Sequence, residues 1–317
     1  MQQSYEKLST NLFVNKVFCM IDIWRLGKEH IYMITGKSQL ICLLGSPVAH
    51  SISPMMHNEA FRLLGLDYAY LCFEARENDM EEAIKSLKFL NARGFNCTMP
   101  VKIKAYELAD ELSAAASLMG AVNTVVIENG RLIGHNTDGI GYVSAVKEAG
   151  FDLTGKKMTL LGGAGAATAV AVQSALDGAA EIAVFNRKGR SWERSLQLAD
   201  KLNAQTNCRV SLYDLNDTTE LKSQLADSYI LTNATSVGMA PNTDASPVCD
   251  PALLHEELIV SDVIYNPRKT KLMADAEARG CRTFNGLYML LYQGAAAFKL
   301  WTGHDMPVDK IKDSLFR

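Results

Sequence analysis

The sequence predicts an α/β protein of two domains, and three observations carry that prediction. The chain has 317 residues, enough for two domains of ordinary size. Beyond Gly150, short apolar runs at 157–161, 181–185, 209–213, 229–233 and 258–262 alternate with helical patterns, as in a doubly wound parallel sheet. Before Gly134 a separate α/β pattern ends its strands in polar residues. Residues 134–141 (Gly-His-Asn-Thr-Asp-Gly-Ile-Gly) join the two patterns, and a short polar run between strand and helix suits a domain crossover.

Composition narrows the function classes. The chain is 48% hydrophobic and 21% charged, the balance of a globular protein. A net charge of −3 gives no case for nucleic acid or an anionic membrane as partner. The seven cysteines are scattered singly, with no CxxC or metal-ligand spacing, so reduced thiols, a cytoplasmic protein and no metal are expected. No apolar run reaches the ~18 residues of a membrane span. Near the start, 13–26 is apolar but broken by Asn15, Lys16, Asp22 and Arg25, with no small-residue cleavage site after it, unlike a signal peptide. Residues 1–37 are expected to be a loosely packed extension without function.

Taken in order, the first strand covers 39–44 and ends in Gly45-Ser46-Pro47. Ser53-Pro54 reads as an N-cap with proline behind it, and Gly65 closes that helix. Ser51 is a second hydroxyl in the same turn. Two serines beside a helix start could hold a carboxylate, although a serine-rich turn is the plainer reading. His50 and His57 read as polar filler, not as bases. A strand at 68–73, a helix at 80–90 and a strand at 92–98 follow, running into Met99-Pro100-Val101-Lys102. Pro100 opens the next helix and puts Lys102 in its first turn. A cation there opposes the helix dipole by about 0.3–1 kcal/mol, which makes Lys102 a candidate for proton transfer beside the reading of a solvated lysine.

Residues 121–134 form a hairpin around Asn129-Gly130, a type I′ turn signal. A two-residue loop pairs 128 with 131 and so sets Asn123 opposite Asn136, two residues before Asp138. The hairpin thus brings an amide and a carboxylate to one end of the sheet. Asp138 opens a helix at about 139–149, with Gly150 as its cap, where the dipole favours negative charge. The strand at 157–161 runs into Gly162-Gly163-Ala164-Gly165-Ala166-Ala167 and a helix. Strand, glycine loop and helix in that order form a dinucleotide site, with the pyrophosphate at the helix N-terminus. The next strand ends in Asn186-Arg187-Lys188, where the ribose is read. The segments 233–239 and 265–267 follow the fourth and fifth strands, where a doubly wound sheet presents ligand contacts. Gln293 lies inside an apolar helix at 286–300, as a satisfied core amide or a ligand contact.

Together these motifs resemble the shikimate dehydrogenase family, including its quinate/shikimate branch, from about residue 39 to 315. The resemblance rests on Ser51-Ile52-Ser53-Pro54, Asn96-Cys97-Thr98-Met99-Pro100-Val101-Lys102, Ala121-Val122-Asn123-Thr124, Asn136-Thr137-Asp138-Gly139, Asn233-Ala234-Thr235-Ser236-Val237-Gly238 and the run 286–293. It implies a substrate domain of residues 38–137 plus 286–317 and a Rossmann-type cofactor domain of 138–285. It implies reversible NAD(P)-dependent oxidation of shikimate to 3-dehydroshikimate, with the serine pair on the substrate carboxylate. Thr98, Asn123, Asp138, Tyr265 and Gln293 fall where the ring is held, and Lys102 with Asp138 where the proton moves. The cofactor is expected on Gly162, Gly163, Ala164, Gly165, Ala166, Asn186, Arg187, Lys188, Thr235, Val263, Gly286 and Met289.

Two departures from the family pattern carry consequences. The usual Gly-Ala-Gly-Gly-Ala loop here reads Gly162-Gly163-Ala164-Gly165-Ala166, which points to a loop shifted by one residue. The acidic residue that NAD-using members of the branch often carry is replaced by Gly189, and Arg187, Lys188 and Arg190 offer three cations before Glu193. NADP is therefore expected over NAD. The pocket motifs serve shikimate and quinate alike, so an enzyme acting on both is the alternative. A non-catalytic sensor on this fold would lack the lysine or the glycine loop, and both are present. A monomer or homodimer is expected.

Overall fold

Two six-stranded sheets form the frame of the computed structural model, which describes residues 34–316. The expectations for residues 1–33 lie outside the described residues. The first part of the chain runs β1 (Gln39–Gly45), α1 (Ser53–Leu64), β2 (Tyr68–Glu74), α2 (Met80–Phe89), β3 (Gly94–Cys97), α3 (Lys102–Leu108), β4 (Glu111–Leu112), α4 (Ala114–Met119), β5 (Thr124–Glu128) and β6 (Arg131–His135). The second part runs α5 (Asp138–Glu148), β7 (Lys157–Leu161), α6 (Gly165–Leu176), β8 (Glu181–Asn186), α7 (Trp192–Gln205), β9 (Arg209–Asp214), α8 (Thr218–Leu225), β10 (Ile230–Asn233), β11 (Ile259–Asp262), α9 (Lys271–Ala278), β12 (Arg282–Phe284), α10 (Leu287–Thr302) and α11 (Val308–Leu315).

The first sheet has the order β2-β1-β3-β5-β6-β4. β1 is parallel to both β2 and β3, whereas β5 runs antiparallel to β3 and to β6. An apolar strand such as β1 suits that central place, where helices cover both faces. Glu128 pairs with Arg131 and Thr124 with His135, the register that a two-residue loop dictates. Asn129 (φ 51°) and Gly130 (φ 75°) are both left-handed, as a type I′ turn requires.

Several boundaries differ from expectation. Ile52, not Ser53, is the N-cap of α1; Ser53 is the first helical residue and its N–H donates to Ser51 Oγ at 3.2 Å. The turn is therefore closed by Ser51 from outside the helix. α3 begins at Lys102, with Pro100 in the turn before it. β5 starts at Thr124 and leaves residues 121–123 in the loop.

The second sheet, β12-β11-β10-β7-β8-β9, is parallel throughout and doubly wound about β7. Its sixth strand, β12, has three residues and no readable period, so periodicity gave no sign of it.

α5 joins the two halves by fitting tightly against a helix on either side. A side chain at Gly139 would come within 2.5 Å of the Ala169 carbonyl of α6, and one at Gly141 within 2.5 Å of the Met289 carbonyl of α10. Glycines two apart thus let α5 sit at backbone distance from both neighbours, which fixes Asp138 between the sheets. α10 then returns to the first sheet, where buried Trp301 donates from Nε1 to the Val125 carbonyl at 2.9 Å. Gly94 makes room for it, since a Cβ there would meet the indole nitrogen at 2.5 Å. Among the described residues no helix is long and apolar enough to cross a membrane, and no group of metal-ligating side chains comes together.

Candidate active site

A cleft of about 440 Å³ opens between the sheets. Ser51, Ser53, Thr98, Asn123, Asp138, Tyr265 and Gln293, the seven residues expected on the substrate, and Lys102, expected in proton transfer, all line it. So do Ala166, Val263, Gly286 and Met289 from the cofactor set, whereas Gly162–Gly165, Asn186, Arg187, Lys188 and Thr235 lie away from it. One volume therefore gathers residues from α1, α3, α5, α6 and α10 and from the loops between the elements.

At its base Lys102 Nζ donates to Asp138 Oδ2 at 2.5 Å, and Asn123 Nδ2 donates to Asp138 Oδ1 at 2.8 Å. The lysine and carboxylate side chains are 30% and 21% exposed, so both can reach a bound molecule. The orientation of the Asn123 amide follows from its other contacts. Its Oδ1 accepts the backbone N–H of Thr137 at 2.8 Å, which turns the NH₂ toward Asp138. Asp138 does not cap its own helix; its N–H donates to Asn136 Oδ1 at 3.1 Å, and Asn136 Nδ2 donates to the Ala121 carbonyl. The hairpin end therefore holds the start of α5 by side-chain amides that lie just outside its two strands.

Ser51 Oγ accepts the Ser53 N–H, which leaves its own O–H able to donate, and both hydroxyls border the cleft beside the start of α1. Gln293 is half-buried and donates to the Leu290 carbonyl of its own helix, so its carbonyl oxygen can accept. Tyr265 is 48% exposed at the rim.

The two histidines part ways. His50 borders the cleft mouth. His57 is fully buried, stacked on Tyr70 with ring centres 4.5 Å apart, and neither ring nitrogen has a hydrogen-bond partner. Burial alone pushes its pKa down to about 3, so it is neutral and no base for the reaction.

In the glycine loop, Gly162 takes φ +120° directly after β7, against the Ala234 carbonyl. A Cβ at Gly163 would meet Asn186 Nδ2 at 2.1 Å and Ser195 Oγ at 2.6 Å. This glycine serves the packing of the loop against the end of β8. Ala164 is the N-cap of α6 at φ −95°, ψ −173°, an extended conformation open to alanine. Gly165 has nothing within 4 Å of where its Cβ would be. The exchange of Ala and Gly relative to the usual loop is thus accommodated with the helix starting at Gly165.

Asn186 is buried and donates to Ser191 and Ser195, so it braces the following loop. Arg187 and Arg190 are exposed, whereas Lys188 leans on Asp214 at 3.7 Å and on the Trp192 ring. Thr235 is tied to Asn233 Oδ1 by its N–H and its hydroxyl. A Cβ at Gly286 would lie 1.9 Å from the Val263 carbonyl, so glycine alone lets this turn close beside the cleft.

The sequence reading missed two sets of buried polar groups. Asp262 is 2% exposed and accepts from Asn233, the Ile264 N–H and the Thr270 hydroxyl. Burial raises its pKa to about 6 against those hydrogen bonds. Tyr70, Asn96, Thr124 and Thr137 form the second set, behind the cleft. A tyrosine inside an otherwise apolar strand was the available signal, since a buried phenol needs a partner.

Comparison with known proteins points to one family. Residues 43–125 match the model of the shikimate dehydrogenase substrate binding domain, and residues 286–316 that of the shikimate 5'-dehydrogenase C-terminal domain. The shikimate dehydrogenase (NADP(+)) of Listeria innocua is 50% identical over 283 residues, 89% of this chain and 97% of the relative. The crystal structure of shikimate 5-dehydrogenase from Listeria monocytogenes, in complex with shikimate and NAD, superposes with a TM-score of 0.87 at 49% identity, covering 89% of this chain and 98% of that one. Quinate dehydrogenase from Corynebacterium glutamicum, in complex with NAD, has a TM-score of 0.79 at 28% identity, covering 88% and 99%.

Proposed function

The chain belongs to the shikimate dehydrogenase family, and we propose that it interconverts shikimate and 3-dehydroshikimate with NADP as the partner in hydride transfer. The observation that carries this reading is the trio Lys102, Asp138 and Asn123, hydrogen-bonded together in the cleft that the serine pair also borders. We assign Ser51 and Ser53 to the substrate carboxylate, because two hydroxyls at a helix start offer donors to one anion. Thr98, Asn123, Tyr265 and Gln293 are assigned to the ring hydroxyls. A polyhydroxylated ring needs such neutral donors and acceptors on several sides.

Oxidation of a secondary alcohol removes a hydride from carbon and a proton from oxygen. Bound NADP supplies the hydride acceptor. Lys102 Nζ takes the hydroxyl proton in oxidation and returns it in reduction, while Asp138 and Asn123 keep the lysine aimed at that oxygen. For the cofactor, Gly162, Gly163, Ala164, Gly165 and Ala166 are assigned to the pyrophosphate, because a helix start presents N–H groups to an anion and the space beside Gly165 is clear. Asn186, Arg187 and Lys188 are assigned to the ribose end; Arg187, exposed directly after β8, is placed to meet a 2′-phosphate, and Lys188 contributes less because it leans on Asp214. Thr235, Val263, Gly286 and Met289 are assigned to the nicotinamide end, the last three bordering the cleft. We place the domain boundaries at 137/138 and 285/286, and the protein in the cytoplasm, in keeping with six free cysteines among the described residues.

Quinate is the weaker reading, since relatives named for shikimate and NADP stand at 50% identity and the quinate dehydrogenase at 28%. Steady-state kinetics on the full chain with shikimate and quinate, each with NADP and NAD, tests both halves of the proposal. Shikimate with NADP is expected to give the highest kcat/KM, and a higher value for quinate would overturn it.

A further inference from the structure

Asp262 ends β11 as a carboxylate sealed from solvent, and its hydrogen-bond partners are all neutral. Asn233 Nδ2 donates to Oδ1 at 3.1 Å and to Oδ2 at 3.0 Å. The Ile264 N–H donates to Oδ1 at 3.0 Å, and the Thr270 hydroxyl donates to Oδ2 at 2.8 Å. Every partner is a donor, which is what the ionised form needs. With its pKa raised by burial to about 6, the group is charged at pH 8. The segments it ties together lie along the wall of the cleft. Val263 and Tyr265, on either side of Ile264, border the cleft, and the Ile264 carbonyl accepts the Gly286 N–H at 3.1 Å. Asn233 in turn holds Thr235 by its N–H and hydroxyl.

Packing alone does not ask for a charge here. An asparagine could accept from Asn233 and Ile264 and donate to the Thr270 oxygen, whereas a carboxylate taken out of water without a cation is costly. The charge is also weakly screened, because Asn233, Ile264 and Thr270 around it are each at most 5% exposed. Oxidation of NADPH turns a neutral nicotinamide ring into a cationic one, so a fixed anion near that end favours the oxidised form. We propose that Asp262 sets the balance between the two forms of the bound cofactor, its charge drawing NADP+ in preference to NADPH. Asp262 does not itself line the cleft, so it acts through space across the Val263 turn. A cofactor held with this bias gives up its hydride more readily to 3-dehydroshikimate. This proposal rests on NADP as the cofactor and on the placement of its nicotinamide end at Val263 and Gly286.

The test is a set of dissociation constants on the full chain at pH 8, for wild type, Asp262→Asn and Thr270→Val. NADPH is read by its fluorescence and NADP+ by displacing it. Asp262→Asn should raise the Kd of NADP+ relative to that of NADPH by about threefold or more, the scale of one charge acting through a partly screening interior. Thr270→Val breaks one of the same hydrogen bonds but keeps the charge. Loosening of the turn moves both forms together, so its ratio should stay close to that of wild type. An unchanged ratio in Asp262→Asn, or an equal change in Thr270→Val, would overturn the proposal. An NADP fragment without the nicotinamide ring should bind wild type and Asp262→Asn alike; a difference there would put the effect at the phosphate end and overturn it as well. If Asp262→Asn does not fold, Asp262→Ser removes the same charge, keeps an acceptor for the Ile264 N–H and takes its place with the same outcomes. A wild-type chain that bound neither form of NADP would instead sink the cofactor reading.

Discussion

Lys102 Nζ and Asp138 Oδ2 stand 2.5 Å apart, each on the first residue of a helix, α3 for the lysine and α5 for the carboxylate. The helix dipole favours the anion at such a place and disfavours the cation, so the pair offsets at α3 what a lone lysine would cost there. If this pair moves the proton, Lys102→Ala should lower kcat by about 10²-fold or more with a smaller change in shikimate KM. Steady-state kinetics on the folded variant would show it, and an unchanged kcat would remove Lys102 from the mechanism.

Ser51→Ala should act differently. A carboxylate contact is made equally in the ground state and the transition state, so the variant should raise shikimate KM and leave kcat nearly unchanged. The wild-type enzyme should also bind a shikimate ester more weakly than the acid. Equal binding of ester and acid would show that the serines hold something else.

Cofactor choice should rest on Arg187 more than on Lys188, because Asp214 and the Trp192 ring hold the lysine. Arg187→Ala should lower kcat/KM with NADP by about tenfold, the scale of one charge-assisted contact, and leave NAD use nearly unchanged. Lys188→Ala should cost less. The idea fails if the wild type prefers NAD, or if Arg187→Ala keeps its use of NADP.

The glycine loop separates fold from binding. Gly163→Ala forces a methyl group into Asn186 and Ser195 and should lower Tm, since something in that packing must shift. Gly165→Ala meets nothing and also gains helix propensity, so its Tm should match or slightly exceed that of the wild type. It should nevertheless raise the KM for NADP if the pyrophosphate lies there. Thermal melts and cofactor titrations on the two variants would decide.

His57 should dominate part of the acid limb of stability. Its folded pKa of about 3 lies below the ordinary 6.5, so between those values the unfolded chain binds a proton that the folded chain does not. Stability from this group is therefore present above pH ~6.5 and lost as pH falls, by up to about 1.4 kcal/mol per pH unit. Urea denaturation at pH 6.5 and 4.5 should show wild type losing about 2 kcal/mol more stability over that interval than His57→Phe. Parallel curves would show that the buried imidazole is not the titrating group.

The sequence by itself determined the two-sheet α/β plan, because five of the six strands of the second sheet are runs long enough to read and the Asn129-Gly130 turn fixes the hairpin register through its left-handed backbone. It also singled out Lys102, Asp138, Asn123 and the serine pair, since local helix starts and a hairpin end announce themselves within a few residues. What it could not supply depends on contacts between distant segments. Whether Asp138 meets Lys102 or caps its own helix is decided by Gly139 and Gly141, which seat α5 against α6 and α10. The role of Gly163 appears only when β8 brings Asn186 beside it, and Lys188 leaves the group of free cations only because β9 places Asp214 nearby. The hydrogen bonds that join Tyr70, Asn96 and Thr124 cross from β2 to β3 and β5, so no stretch of sequence contains them. Local propensity writes the elements, whereas the partner of a buried polar group is set by which strands the topology makes neighbours.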